Sequence, residues 1–233
     1  MKKFLALFLA IIIAITLVSC LDQKDTPTPA PEASPDGGDA STTTTTTAKD
    51  NTPKRISGFY SGGEGAPPVV IVFNSTKEIQ EFITAANSTE EEFEKYAEKS
   101  KLYYAINQKV AMAVAHNLEL IKLPTMPFKI TEDNFGATYY LDRNELDVIC
   151  LGDNLKYSFV YKYNERSIPT TKQPLFKENT HIGDHATNLY EGTGCLVGYF
   201  MDDMVLVQAI AYSDDYQAAS FEGITFKSLA DIK

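Results

Sequence analysis

The chain predicts an α+β fold in which N-terminal helices pack on an antiparallel meander β-sheet within a single domain. Three observations carry that reading. Apolar residues between Ile79 and Ile121 recur at helical spacing, and from Phe128 onward the period falls to two. The strands so implied are joined by turn chemistry too short to hold a crossover helix. Helices first and strands after is the order of an α+β domain rather than of alternating α/β units.

The first twenty residues, MKKFLALFLAIIIAITLVSC, stand apart from that domain. Lys2 and Lys3 precede an apolar run, Phe4 to Val18, broken only by Thr16. The run is short for a bilayer span, which favours an export signal (residues 1–20) over a transmembrane helix. Leu17-Val18-Ser19 then places small residues directly before Cys20. These four residues resemble the lipobox of bacterial lipoproteins. The resemblance implies that Cys20 carries a diacylglycerol anchor and becomes the new N-terminus, holding the protein on the extracytoplasmic face of the cell membrane. Each buried acyl CH₂ contributes about 0.8 kcal/mol, so two or three chains anchor stably. The other reading is an ordinary cleaved secretory signal that happens to end on a cysteine.

Charge agrees with a covalent anchor. The formal net charge is −10, and Lys2 and Lys3 leave with the signal, so the mature chain carries −12. Such a chain is not drawn to nucleic acid or to an anionic lipid surface.

Leu21 to Arg55 (residues 21–55) holds Thr-Pro-Thr-Pro-Ala-Pro, Pro35-Asp36-Gly37-Gly38 and the Ser41–Thr47 run, with almost no apolar residue. It cannot bury enough surface to offset its ordering entropy and is expected to be a disordered stalk. As a coil it would span roughly 30 Å, and stretched out on the order of 100 Å.

From Ile56 to Lys233 (residues 56–233) the composition is that of one globular domain. Ser61-Gly62-Gly63-Glu64-Gly65 runs into Pro67-Pro68 and has no lysine to hold a phosphate, so it reads as a joint. Val69 to Phe73 is an apolar, β-branched strand, expected to be buried on both faces. Ser75 with Glu78 forms a capping box ahead of the stripe Ile79, Phe82, Ile83, Ala86. Ser88 with Glu91 repeats the signal before Phe93, Tyr96 and Ala97, and Glu90-Glu91-Glu92 complements the dipole of that helix. A third helix runs from Asn107 to Ile121 on Val110, Val114, Leu118 and Ile121, with His116 off the stripe and partly exposed. Pro124 and Pro127 end it.

Phe128–Ile130, Thr138–Leu141 and Leu146–Leu151 read as strands, and so does Leu155–Asn164 after the Gly152-Asp153-Asn154 turn. Cys195–Met201 and Met204–Tyr212 form a hairpin about Asp202-Asp203. A short helix from Ser213 or Asp214 to Phe221 and a strand and turn over Ile224–Ile232 close the chain.

Glu165 to Gly194 fits no regular element, and long structureless segments in compact domains are usually functional, disordered or misassigned. It carries His181, Asp184 and His185, the one place where two histidines and a carboxylate fall together. They form a candidate metal or ligand site, although Gly183 opposes the helix that would align the imidazoles. Cys195 with either histidine is a weaker nucleophile–base pair. Tyr157, Tyr161 and Tyr163 share one strand face, which is either an aromatic binding surface or the side packed on the helices. Cys150 and Cys195 are an even pair in an exported chain; they form a disulfide or are two buried thiols. No serine-nucleophile motif is present in the sequence.

These residues favour a non-catalytic module that binds a small molecule or a protein, with no cofactor or metal beyond its lipid. The alternatives are a metal-dependent hydrolase built on residues 165–194 and a structural protein of the cell envelope.

Overall fold

The computed structural model describes residues 50–56, 69–102, 106–213 and 220–232. The chain divides into two units, Met1–Thr47 and Ala48–Lys233, and all of these residues belong to the second. The export signal with Cys20, the stalk before Asp50, the glycine-rich 57–68 segment and residues 214–219 of the expected last helix lie outside the described residues. Phe221, where that helix was expected to end, is not helical.

The domain is α+β. Helix α1 (Thr76–Ala86) starts where Ser75 Oγ accepts from the Glu78 N–H at 3.2 Å, and it buries Ile79, Phe82 and Ala86. The Glu78 carboxylate takes the Asn74 N–H at 2.7 Å instead of returning to the cap residue. Helix α2 (Glu90–Lys99) begins one residue later than Ser88 and Glu91 imply. Thr89 and Glu92 form its full capping box, and Phe93 and Ala97 are its buried side. Each such cap contributes about 1 kcal/mol. Helix α3 (Gln108–Leu120) is capped by Asn107 and buries Ala111, Val114, Ala115 and Leu118, together with Asn117.

Eight strands form one antiparallel sheet in the order β1-β3-β4-β5-β9-β8-β7-β6. They are β1 (Val70–Phe73), β3 (Phe135–Tyr140), β4 (Glu145–Leu151), β5 (Leu155–Lys162), β6 (Leu175–Ile182), β7 (His185–Gly192), β8 (Cys195–Asp202) and β9 (Val205–Ser213). Two meanders, β3–β5 and β6–β9, join through the β5–β9 pair. A separate ribbon pairs β2 (Lys122–Thr125) with β10 (Thr225–Ser228), and a single 3₁₀ turn, Leu229–Asp231, follows.

Four sequence expectations change. Val70–Phe73 is an edge strand, so Ile71 and Phe73 are buried while Val72 is 57% exposed on the other side. Phe128–Ile130 is not a strand; the strand after α3 is Lys122–Thr125, and Pro124 is tolerated because a two-stranded ribbon leaves each strand one open edge. Most of residues 165–194 is a hairpin, β6 and β7, turning at Gly183-Asp184 with Gly183 at φ +59°. Only the stretch from Asn164 to Pro174 is a connection, and it carries the chain from the sheet's centre to its far edge. Finally, the last part of the stalk is docked. Pro53 is buried, the Lys54 N–H donates to Asn117 Oδ1 at 2.7 Å, and Asn117 Nδ2 donates back to the Lys54 carbonyl at 2.9 Å.

The register sorts the sheet into two sides. Leu146, Val148 and Cys150 of β4 face the same way as Tyr161, Phe159 and Tyr157 of β5 and as Val207, Ala209 and Ala211 of β9. This inner side forms one continuous core with the buried residues of α1, α2 and α3 and with Leu123 and Ile224 at the ribbon. The outer side carries Glu145, Asp147, Ile149, Lys156, Ser158, Val160, Gln208, Ile210 and Tyr212.

Candidate binding face

The histidine pair comes apart in the hairpin. Ile182 pairs with His185 and His181 with Ala186, so the two imidazoles lie on opposite sides of the sheet. His181 and Asp184 are exposed. Among the described residues no group of three or more His, Cys, Asp or Glu side chains could hold a metal ion. The candidate residues His181, Asp184 and His185 are thus not brought together at one point, which corrects the expectation that these three would share a metal or ligand. His185 turns inward, its ring stacked on Phe200 at 4.2 Å between centroids and edge-on to Phe226 at 5.3 Å. Its Nε2 lies 4.0 Å from Asp202 Oδ1.

The cysteines are likewise not a site. Both are free and buried. Cys150 sits on β4 and Cys195 on β8, with β5 and β9 between them, about 14 Å apart in the hydrogen-bonding direction. They also point to opposite sides, since the Cys150 row runs through Tyr157 and Ala211 to Leu196. A disulfide needs Cα atoms within about 7 Å, so the expected bridge does not form. Burial pushes the Cys150 thiol up to about 12 and raises that of Cys195, the opposite of what a nucleophile requires. His185 lies on the opposite face from Cys195, and His181 pairs with Ala186 at the far end of β7 from Gly192, the partner of Cys195, so neither histidine stands beside it.

Tyr157, Tyr161 and Tyr163 are 3%, 0% and 1% exposed, so their side of β5 is core and not a binding surface. Tyr157 donates to the Ser220 carbonyl at 3.0 Å and Tyr161 to that of Lys122 at 2.7 Å. Tyr163 stacks on Tyr139, centroids 5.7 Å apart, and its hydroxyl has no partner among the described residues.

The aromatic face that does meet solvent is the outer one. Its polar row crosses the sheet through Thr138, Asp147, Val160, Gln208 and Tyr199, and the row beside it is apolar: Ile149, Ser158, Ile210, Val197. Asp147, Ile149, Val160, Gln208, Ile210 and Tyr199 are all half-buried. Four buried members of this side, Tyr140, Cys195, Val197 and Leu206, stand outside the continuous core. Ser158 donates to Asp147 Oδ1 at 2.8 Å, and Gln208 Nε2 to the Tyr199 hydroxyl at 3.3 Å. Lys156 Nζ lies 5.3 Å from the Tyr212 ring centre, and the Arg143 guanidinium 3.9 Å from that of Tyr140.

Electrostatically this face is partly withdrawn from water. Burial raises the Asp147 carboxyl against the Ser158 hydrogen bond, and burial likewise raises Glu145. Burial lowers Lys156 and lifts the Tyr212 hydroxyl to about 12. Half-desolvated polar groups beside apolar and aromatic side chains are the means of orienting a ligand laid across them.

Sequence reasoning missed Tyr140, Tyr190, Tyr199, Tyr212, Asp147 and Gln208. The signal was in β4, where Glu145, Asp147 and Ile149 alternate with Leu146, Val148 and Cys150 and so mark the outer side. The tight turn after Leu151 then carries the distinction into β5 and assigns its tyrosines inward.

A concavity of about 1060 Å³ lies elsewhere, along β1, α1 and α2. Several of its polar groups are already engaged: Glu78 accepts from the Asn74 N–H, Glu92 closes the α2 capping box, and Lys77 pairs with Glu81 at 3.6 Å. Compared with protein families, with characterised proteins and with solved structures, the chain matches none.

Proposed function

We propose that the protein is a lipid-anchored, extracytoplasmic, non-catalytic binding module that takes a small-molecule or protein ligand across the outer side of its sheet. The observation that carries the reading is the run of half-buried aromatic, aliphatic and hydrogen-bonded polar side chains over β4, β5, β9 and β8, apart from the helix-packed core. Faces of this kind on folded domains mark interaction sites more often than inert surface. The anchoring half of the proposal rests on Leu17-Val18-Ser19-Cys20, which would tether the domain through a diacylglycerol on Cys20.

The test is an amide NMR screen of the protein in lipid nanodiscs against aromatic and glycan fragments. Binders should shift Asp147, Ile149, Gln208 and Ile210, and the double variant Tyr199→Ala, Ile210→Ser should lose them while keeping its fold. Shifts confined to residues along α1 and α2, unchanged in the double variant, would move the site to the β1 groove and defeat the proposal.

A further inference from the structure

The sequence singled out His185, yet its site on the inner side belongs to neither the outer face nor a metal centre. It sits where the β2–β10 ribbon meets the sheet. Phe226 of β10 holds the ribbon down by touching three rings, with centroids 5.8 Å from Phe159, 5.4 Å from Phe200 and 5.3 Å from His185. From β2, the Lys122 ammonium lies 3.1 Å from Asp202 Oδ1, the Lys122 N–H donates to Asp202 Oδ2 at 3.3 Å, and the Lys122 carbonyl accepts from Tyr161.

We propose that His185 is an acid-operated latch, holding the ribbon against the sheet as a neutral imidazole and loosening it when protonated. The charged groups that face it come from every neighbouring element: Lys122 from β2, Asp202 from β8, Asp184 from the turn before β7 and Asp203 from the turn after β8. These pull in different directions. Asp202 alone would welcome an imidazolium at 4.0 Å, but its carboxylate is already met by the Lys122 ammonium and backbone N–H. A second cation arriving there gains little and is repelled by Lys122. The ring is also wedged between Phe200 and Phe226, where a charged imidazole cannot keep its water. Burial is the largest influence on the ring and sets it below the ordinary histidine value.

The sign follows from linkage. A base whose folded pKa is depressed binds fewer protons folded than open. Its stabilising contribution is therefore complete above the ordinary value of about 6.5 and is lost as pH falls below it. One such group changes the ribbon's opening equilibrium by at most about tenfold per pH unit, until the folded ring also titrates. The proposal concerns the inner side of the sheet and does not rest on the outer face as a binding site.

The experiment is hydrogen exchange of the full chain at pH 7.5, 6.5 and 5.5, corrected for intrinsic rates, following peptides over Lys122–Thr125 and Thr225–Ser228 with α1 as internal reference. Ribbon opening should rise severalfold relative to α1 between pH 7.5 and 5.5. His185→Phe keeps a ring between Phe200 and Phe226 and should abolish the rise. The His185 ring resonances of the unaltered protein should titrate below 6.5, which keeps the proposal testable if the variant does not fold. It is overturned by ribbon protection that stays flat with pH, by a rise that survives His185→Phe, or by a ring that titrates at or above the ordinary value.

Discussion

Replacing Asn117 with alanine should unfasten the residues that lead into the domain without dismantling it. The Asn117 carboxamide is fully buried: it accepts from the Lys54 N–H at 2.7 Å, and its two amide hydrogens are shared among the Lys54 carbonyl at 2.9 Å, the Tyr139 hydroxyl at 2.9 Å and Asn144 Oδ1 at 3.2 Å. Two of the partners keep other contacts, because Tyr139 still donates to Asn144 Oδ1 at 2.6 Å and Asn144 Nδ2 still reaches the Lys54 carbonyl at 3.2 Å. The Lys54 N–H is left with nothing. Three lost bonds at about 1 kcal/mol each give a cost of about 3 kcal/mol. For a domain of this size that is a fall in Tm of about 6–12 °C. Thermal melts read the loss, and limited trypsinolysis reads its place, since Lys54 and Arg55 should be cut many times faster once the strap is loose. A variant that melts within about 2 °C of the unaltered protein and resists trypsin equally at those residues would refute the account.

Other consequences can be checked as directly. Cys20→Ala should release the protein from membranes or leave it unprocessed, and wild-type fractionation and migration would remove the lipid-anchor reading. Denatured but unreduced protein should alkylate at both Cys150 and Cys195, and a mass two hydrogens short of the dithiol would contradict their separation across the sheet. Gly183→Ala combines a φ of +59° with a new Cβ only 2.8 Å from Phe226 Cδ2, so it should destabilise by roughly 2–4 kcal/mol, measured by urea denaturation. Asp147→Asn should stabilise at pH 7 because burial disfavours the carboxylate while the Ser158 hydroxyl can still donate to the amide oxygen. The gain should vanish by about pH 3, where both states are protonated, and a gain that persists there would point to another cause.

The sequence made some of this structure legible and left the rest ambiguous for physical reasons. Helix starts could be read, to within one residue for α2, because Ser75, Asn107 and the polar stretch around Ser88 and Thr89 hold local hydrogen-bonding devices that need no knowledge of the rest of the chain. Strands β4, β5, β8 and β9 could be read because one side is core. Strand β6 could not, since five of its eight residues in succession are exposed and alternation has nothing to report. Strand β2 was hidden by Pro124, which argues against a strand except in a ribbon with an open edge. The tyrosines of β5 could not be assigned to core or surface, and the paired histidines misled, for related reasons. Period-two spacing says which residues share a side but not which side faces the helices, and residues four apart read as neighbours only when no turn falls between them. Gly183-Asp184 is such a turn, and it sends His181 and His185 to opposite sides.

The docked strap also decides how the domain would respond to being pulled. A force applied from the N-terminal side does not reach the sheet first; it arrives at the Lys54 backbone, gripped by Asn117 and Asn144. A handful of hydrogen bonds and one buried proline yield before a strand between paired neighbours does. Peeling Asp50–Ile56 pays out about 24 Å of extra chain while the core stays unloaded. By this ordering the junction would act as a mechanical fuse, giving way before the fold that it joins.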